Sequence, residues 1–364
     1  MSAKPPLEPT TPLQCPYCSR ELDEVVVSAA GELLGCVDCV TQRGLAGRVL
    51  TRAEWLDEAG VRGALERYGL TEYVAAKPPQ SAVRQPRAHE WVIRTEGGRF
   101  ALKRFPAEMP RESVHYQHGV LDHLIRQRLP VAQPVHASDG TSYVEVDGVV
   151  WALYRGLDGA HVGNQDWMWR VPRVAETMAL MHNTLAGFAP EGRPHPEWAE
   201  WNAARVDGML ALWPPLEELP PELLEDVRER LVRRYLVARA ELPRTIVHGD
   251  LGSANVLWTG DAVTGILDLD RAHEDTALFD FGAGVGTRWP PLLRAAVATY
   301  TRLRPLSSLE REVLPEALLL GAVIALHHQV VVTRNIEETS RKAQELYLLV
   351  RDAESLRRAV AAQR

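Results

Sequence analysis

The sequence predicts an α+β chain: a small β-rich lobe, a larger and mainly helical lobe, and a small cysteine-held module ahead of both. Three observations predict it. Four cysteines sit as two C-x-x-C pairs near the start, Cys15/Cys18 and Cys36/Cys39. Short strand-type runs with hairpin turns follow from about residue 83. Beyond Asp158 the periodicity is mainly helical, broken by one apolar, strand-like segment, "IVHGDLGSANVLWTGDAVTGILDLDRA" (246–272). The divisions expected are a disordered Pro-rich tail (1–12), the cysteine module (13–45), a helical connector (46–80), an N-lobe (81–157) and a C-lobe (158–364).

All four cysteines of the chain lie in the first module, separated by "EVVVSAAGELLG", which reads as a β-hairpin. Two tight turns can deliver four thiolates around one tetrahedral Zn²⁺, and the piece resembles a zinc ribbon. Two disulfides or a redox-active pair are the competing readings, disfavoured by an expected cytoplasmic location. Residues 1–80 carry 8 Lys and Arg against 11 Asp and Glu. That balance disfavours nucleic acid and favours a structural role or a protein partner for the ribbon.

In the connector, "LTRAEWLDEAGVRGALERYGL" (50–70) has helical spacing, with Thr51 and Glu54 in a capping-box pattern. "EWVIRTEGGRFALKRF" alternates around Glu96-Gly97-Gly98 as a hairpin, "RESVHYQHGVLDHLIRQR" reads as a helix, and "TSYVEVDGVVWALYRGL" reads as a second hairpin. The order allows a cleft between lobes, with 246–272 at its floor. The apolar run "ALLLGAVIAL" (317–326) is too short to span a bilayer and reads as a buried helix. The start has no signal-peptide core, and the net charge is −7, so membrane and broad nucleic-acid partners are not expected.

Segment 246–272 concentrates polar groups beside apolar strands. Phosphoryl transfer needs a carboxylate to take a proton, oxygen ligands for Mg²⁺ and a cation on the phosphates. Asp250, just after a strand, suits the base. Asn255 follows five positions later, and Asp268 thirteen beyond that, a hairpin's length that sets the two side by side as a magnesium clamp. Lys103, in the strand "RFALKRF", suits the phosphate-pairing cation.

These residues carry a resemblance. "HGDLGSANVL" followed by "ILDLDRA" resembles the H-G-D-x-x-x-x-N and I-D signature of the aminoglycoside phosphotransferase and choline kinase superfamily, and so a bilobal protein-kinase-like fold. "FALKRF", "LYRGLDGAHVG", "VAETMALMHNTL" and "ALFDFG" fall in the matching order. The resemblance implies Asp250 as base, Asn255 and Asp268 as metal ligands and Lys103 on phosphate. It also implies Asp280 as a brace of the catalytic loop, and Tyr154 to Gly156 as hinge backbone flanking adenine.

Two departures stand out. The helix after the lysine strand lacks the Glu expected to pair with Lys103, offering Gln117 or His118 there. The nucleotide-covering loop, "SAVRQPRAHEW" (81–91), has no glycine, and its Arg84 and Arg87 read by default as exposed arginines, with phosphate contact the alternative. Trp167, Trp169, Trp198, Trp201 and Trp213 crowd the region where such proteins shape the acceptor pocket, and either fill a core or form a platform. His182, His327 and His328 read as packing residues. Asp270 reads equally as a ligand for a second metal or a cationic substrate, or as a turn cap.

The function expected is an ATP- and Mg²⁺-dependent transferase of phosphate to a small-molecule hydroxyl, such as an amino sugar or amino alcohol. A Ser/Thr protein kinase of the same fold and a catalytically inactive nucleotide-binding scaffold that docks a protein through the ribbon are the alternatives.

Overall fold

A computed structural model describes residues 14–15, 17–22, 24–27, 33–42, 48–51, 57–76, 90–285, 289–333 and 336–361. The tail expected at 1–12, Glu54 and the loop arginines Arg84 and Arg87 lie outside the described residues.

Strands β1 (Glu24–Val27) and β2 (Leu33–Gly35) pair antiparallel, as the hairpin reading requires. The first cysteine pair lies in a tight turn, where Ser19 N–H donates to the Cys15 carbonyl at 2.9 Å. The second pair is not in a turn of that kind: Cys36 leads into helix α1 (Val37–Gln42), which carries Cys39. A third strand, β3 (Arg48–Thr51), pairs with β1 on its other side, giving the order β2-β1-β3. Val25, Val27, Leu33 and Leu50 bury their side chains together with Cys15 and Cys36.

The connector expected over 46–80 is therefore not helical throughout. Its start, including Thr51, is β3. Helix α2 spans Glu58–Arg67 and is capped by Asp57, whose carboxylate accepts from Gly60 N–H at 3.3 Å. Asp57 also pairs with Arg104 at 2.5 Å, tying α2 to the sheet behind it. The connector's end contributes strand β4 (Val74–Ala76), the first of a five-stranded antiparallel sheet. Helical spacing cannot reveal strands of three or four residues whose partners lie far away in sequence.

Strands β5 (Glu90–Thr95) and β6 (Gly98–Arg104) form the expected hairpin. Strands β7 (Val144–Val146) and β8 (Val149–Arg155) form the second, around Asp147-Gly148, both at positive φ as a tight two-residue turn of this type demands. The sheet order is β4-β5-β6-β8-β7. Lys103 on β6 lies opposite Glu90 on one side and Ala152 on the other. Helix α3 (Arg111–Arg126) buries Val114, Val120, Leu121 and Leu124 on one face.

The large lobe starts with α4 (Asn164–Leu185), followed by α5 (Ala203–Ala211) and α6 (Pro221–Glu229). Strands β9 (Arg244–Val247), β10 (Val256–Thr259), β11 (Ala262–Ile266) and β12 (His273–Thr276) then make two short antiparallel pairs, β10–β11 and β9–β12. Helices α7 (Pro290–Leu303), α8 (Ser308–His327), α9 (Ile336–Arg351) and α10 (Ala353–Ala361) close the lobe. Helix α8 is long and apolar enough by composition to cross a membrane, but Leu314, Leu318, Leu319, Val323 and Leu326 are buried in the lobe's core. The backbones of α8 and of the turn at Phe281–Val285 touch: a Cβ on Gly282 would come within 2.1 Å of the Ala317 carbonyl oxygen.

Asp280, fully buried, ties the lobe's core to the loop after β9. Its carboxylate accepts the backbone N–H of His248 and of Gly249, each at 2.8 Å, and the Nε2–H of His182 on α4 at 3.0 Å. Nδ1 of His182 lies 2.7 Å from the Tyr300 hydroxyl on α7. Burial opposes ionisation of Asp280, but His182, and then His248, hold its pKa below the usual carboxylate value. Gly249 has φ +81°, and a Cβ there would lie 2.5 Å from the Arg271 carbonyl oxygen, so the loop admits only glycine.

Replacing Asp280 by Ala orphans two buried N–H groups and an imidazole, and we expect a loss of roughly 3–5 kcal/mol in chemical denaturation. A loss below about 1 kcal/mol would contradict the brace. Because the folded pKa is depressed, this stabilisation is full above about pH 4 and is lost as pH falls through the folded value. The variant should lack that acid limb.

Candidate functional site

The loop between β9 and β10 is held from three directions. Beneath it is the Asp280 carboxylate. At its side, His248 bridges two segments: Nε2–H donates to the Leu267 carbonyl at 2.9 Å, and Nδ1 accepts the Asp250 N–H at 3.2 Å. The first bond fixes the tautomer that the second needs. Within the loop, Asn255 Nδ2 donates to the Asp250 carbonyl at 2.8 Å. These bonds fix the backbone of Asp250 and leave its carboxylate facing outward, about one-third exposed.

Asn255 precedes the β10–β11 hairpin and Asp268 follows it. The hairpin's first pair is Val256↔Ile266, and Leu267 N–H donates to the Asn255 carbonyl at 2.9 Å. The thirteen-residue separation is thus an actual hairpin that delivers both residues to one end. Asp268 takes a left-handed conformation, φ 64° and ψ 64°. Asn255 Oδ1 is buried and has no hydrogen-bond partner among the described residues. A buried amide oxygen without a donor suits a cation.

Lys103 reaches this point from the other lobe. Its ammonium lies 2.7 Å from Asp268 Oδ1 and 2.5 Å from Asp270 Oδ2. Burial opposes the ammonium charge, but Asp268 and Asp270 outweigh it and hold the pKa above the ordinary lysine value. The carboxylate that the sequence lacks on α3 is therefore supplied two residues beyond Asp268. On α3 itself, His118 is occupied elsewhere: Nδ1 lies 2.7 Å from Ser142 Oγ and Nε2 2.9 Å from the Tyr154 hydroxyl. Burial, with smaller contributions from His115, His136 and Lys103, pushes its pKa down to about 3, so it is neutral near pH 7.

Tyr154 and Gly156 stand at the junction of the lobes. The Tyr154 phenol is buried, and burial first, then the charge of Asp270, keep it protonated. Gly156 N–H is used inside the sheet, donating to the Arg99 carbonyl at 2.7 Å, and a Cβ there would meet the same oxygen at 2.7 Å. Close strand approach accounts for that glycine.

The tryptophans divide. Trp167 and Trp201 pack in the core, Trp213 donates to His327 Nδ1 at 3.3 Å, and Trp169 is exposed beside Trp289. Trp198 faces the reaction site: the Arg271 guanidinium lies 4.5 Å from its ring centroid and 3.7 Å from Asp250 Oδ2. His182, expected only to pack, belongs to the Asp280 network. The sequence reading passed over Arg271 and Arg205, because arginines in helices and turns are ordinarily solvated and only the fold shows what they lie over. A cavity of about 650 Å³, bounded by Arg128, Pro130, Arg173, Thr177, Asp261 and Val263, contains none of these groups.

The four cysteine sulfurs lie within 4.8 Å of one another, with Cys18 and Cys36 3.9 Å apart. Tetrahedral Zn–S bonds of about 2.3 Å set sulfurs roughly 3.8 Å apart. All four are free thiols, so the disulfide reading fails. Burial opposes the Cys15 thiolate, but backbone N–H groups, that of Cys36 first, lower its pKa to about 6. Four sulfurs so close cannot all ionise without a cation among them, and the donor set fits a zinc ribbon.

Comparison with known proteins bears on the fold and the family. A homoserine kinase of Brucella anthropi is 30% identical over 260 residues, which cover 64% of this chain and 72% of that protein. A homoserine kinase of Agrobacterium fabrum is 27% identical over 276 residues, covering 71% and 81%. Among solved structures, a microcompartment-associated aminopropanol kinase superposes with a TM-score of 0.60 at 17% identity, over 82% of this chain and 98% of that one. An amicoumacin kinase in complex with AMP-PNP and Ca²⁺ gives 0.59 at 13% identity, over 88% and 96%. None of these resemblances supports a protein partner at the ribbon. The profile of one family spans residues 84–330, from the N-lobe through the catalytic segment to just beyond α8, and with it the chain belongs to the phosphotransferase enzyme family.

Proposed function

We propose that this protein transfers the γ-phosphoryl group of ATP to a hydroxyl of a small molecule. The observation that carries the reading is the convergence of Asp250, Asn255, Asp268 and Lys103 at one end of the β10–β11 hairpin, above a loop fixed by Asp280. The names of the relatives, homoserine kinase and aminopropanol kinase, favour a small amino alcohol over a protein side chain as acceptor.

Asp250 takes the proton of the acceptor hydroxyl as its oxygen bonds to the γ-phosphorus. The bond from that phosphorus to the bridging β–γ oxygen breaks, and ADP leaves. Mg²⁺, held by Asn255 Oδ1 and the Asp268 carboxylate, would neutralise charge on the phosphate oxygens. Lys103 supplies a second cation there, and Asp270 holds it in place as the Glu of related kinases does from the helix. Tyr154 and its neighbours close the inner wall at the lobe junction, beside which the adenine would sit. In the ribbon, Cys15, Cys18, Cys36 and Cys39 would hold Zn²⁺ and stabilise the three-stranded sheet.

Asp250→Ala should lower kcat by on the order of 10²–10⁴ while nucleotide affinity stays the same. Undiminished transfer in that variant would reject the mechanism. Asp270→Asn should raise the KM for ATP more than it lowers kcat, because it loosens Lys103 and leaves the base in place; an unchanged KM would remove Asp270 from that role. For the ribbon, elemental analysis of the purified protein should give one zinc per chain, and chelation should expose four titratable thiols. Four free thiols with substoichiometric metal before chelation would reject the site.

A further inference from the structure

Beside Asp250 the site turns cationic in a way that phosphoryl transfer from ATP does not require. Arg271 and Arg205 both lie over the same indole: their guanidinium carbons are 4.5 Å and 5.7 Å from the Trp198 ring centroid. Arg205 lies also 4.0 Å from the centroid of Trp201, whose buried ring underlies it. Cation–π attraction to a ring makes no use of the guanidinium N–H donors.

Those donors are mostly unused. Among the described residues no carboxylate pairs with Arg205, and its one side-chain hydrogen bond goes to the Glu200 carbonyl at 2.9 Å. Burial lowers its pKa, and the charge of Glu197, which does not bridge it, only opposes that shift. Arg271 makes no side-chain hydrogen bond among the described residues; its nearest acid is Asp250, at 3.7 Å, beyond hydrogen-bonding distance. Elsewhere in this lobe buried and half-buried arginines are neutralised. Arg239 makes two hydrogen bonds to Asp275, at 2.7 and 2.8 Å; Arg304 pairs with Glu310 at 2.9 Å; and Arg230 and Arg357 share Glu316. The Trp198 pair is less fully matched: among the described residues Arg205 has no carboxylate partner, and Arg271 has only the base Asp250, at 3.7 Å.

We propose that the acceptor carries an oxyanion group, a carboxylate or phosphate a few bonds from the reacting hydroxyl, and that Arg205 and Arg271 bind it. This rests on the transfer at Asp250 proposed above and narrows its substrate class: hydroxy acids, including hydroxy amino acids, or phosphorylated alcohols, and not polycationic amino sugars. A planar guanidinium matches a carboxylate or phosphate edge with two parallel N–H···O bonds, and here it does so against an apolar indole that limits solvent screening. A polycationic acceptor would meet two guanidinium groups at the same place, with Asp250 the one carboxylate paired to either among the described residues.

The test uses the full-length protein with AMP-PNP and Mg²⁺ for binding, and with ATP and Mg²⁺ for ADP release. The probes are L-homoserine, L-serine, 4-hydroxybutyrate and glycerol 3-phosphate, set against homoserine amide, 1-amino-2-propanol and kanamycin. At least one anionic probe should bind at least tenfold more tightly than the neutral or cationic alcohols. The acids against glycerol 3-phosphate decide between carboxylate and phosphate. Arg205→Gln should raise KM for that probe at least tenfold with kcat changed less than threefold, and Arg205→Lys should recover part of the loss. Arg271→Gln should weaken binding in the same direction, which guards against a folding defect in either single variant. Preferred binding or turnover of an amide, amino alcohol or amino sugar would overturn the inference and leave the phosphotransfer reading intact. So would failure of every anionic probe to bind at millimolar concentration. Anion binding that depends on Arg205 without any ADP release would support the site and count against the transfer reading.

Discussion

The catalytic half of this structure depends on one buried carboxylate. Asp280 accepts two consecutive backbone N–H groups of the loop after β9 and the imidazole of His182, which in turn meets Tyr300. A carboxylate without solvent is stable only if its lone pairs are filled, and here the donors are the loop itself. The energy that keeps Asp280 ionised is therefore the same energy that keeps His248 and Gly249 in place. Everything further out, including the outward-facing Asp250 and the Asn255 amide that grips its carbonyl, inherits that geometry.

Charge balance across the cleft follows a different arrangement from the one the motif order suggests. The lysine of β6 is paired to Asp268 and Asp270 in the large lobe, whereas α3 presents a neutral histidine bonded to Ser142 and Tyr154. A lysine anchored to the catalytic segment ties the two lobes to each other directly. A helix-borne Glu would instead make the pairing depend on where that helix sits. In this chain α3 is a packing element, and the pair that organises the cleft bridges sheet and catalytic segment.

The N-terminal module obeys a separate logic. Its buried apolar residues are few, and its sheet of three short strands could not be held by their burial alone. Four thiols lie within tetrahedral reach of one centre, where a bound zinc would supply what the small core lacks.

By itself the sequence determined the parts whose partners are near in the chain. The β10–β11 hairpin fixes Asn255 and Asp268 to one end because thirteen residues suffice to turn and return, and the cysteine spacings bring four sulfurs together for the same local reason. The hairpins around Glu96-Gly97 and Asp147-Gly148 were legible from turn chemistry, and the long amphipathic helices from period. Tertiary structure alone decided what depends on distant partners. Strands β3 and β4 are too short to show alternation and exist because β1 and β5 offer them edges. Asp270 had no readable role until Lys103, 167 positions away, came within 2.5 Å. Arg205 and Arg271 became notable only on the Trp198 face, because a sequence shows that an arginine is charged but not whether a carboxylate has been brought to meet it.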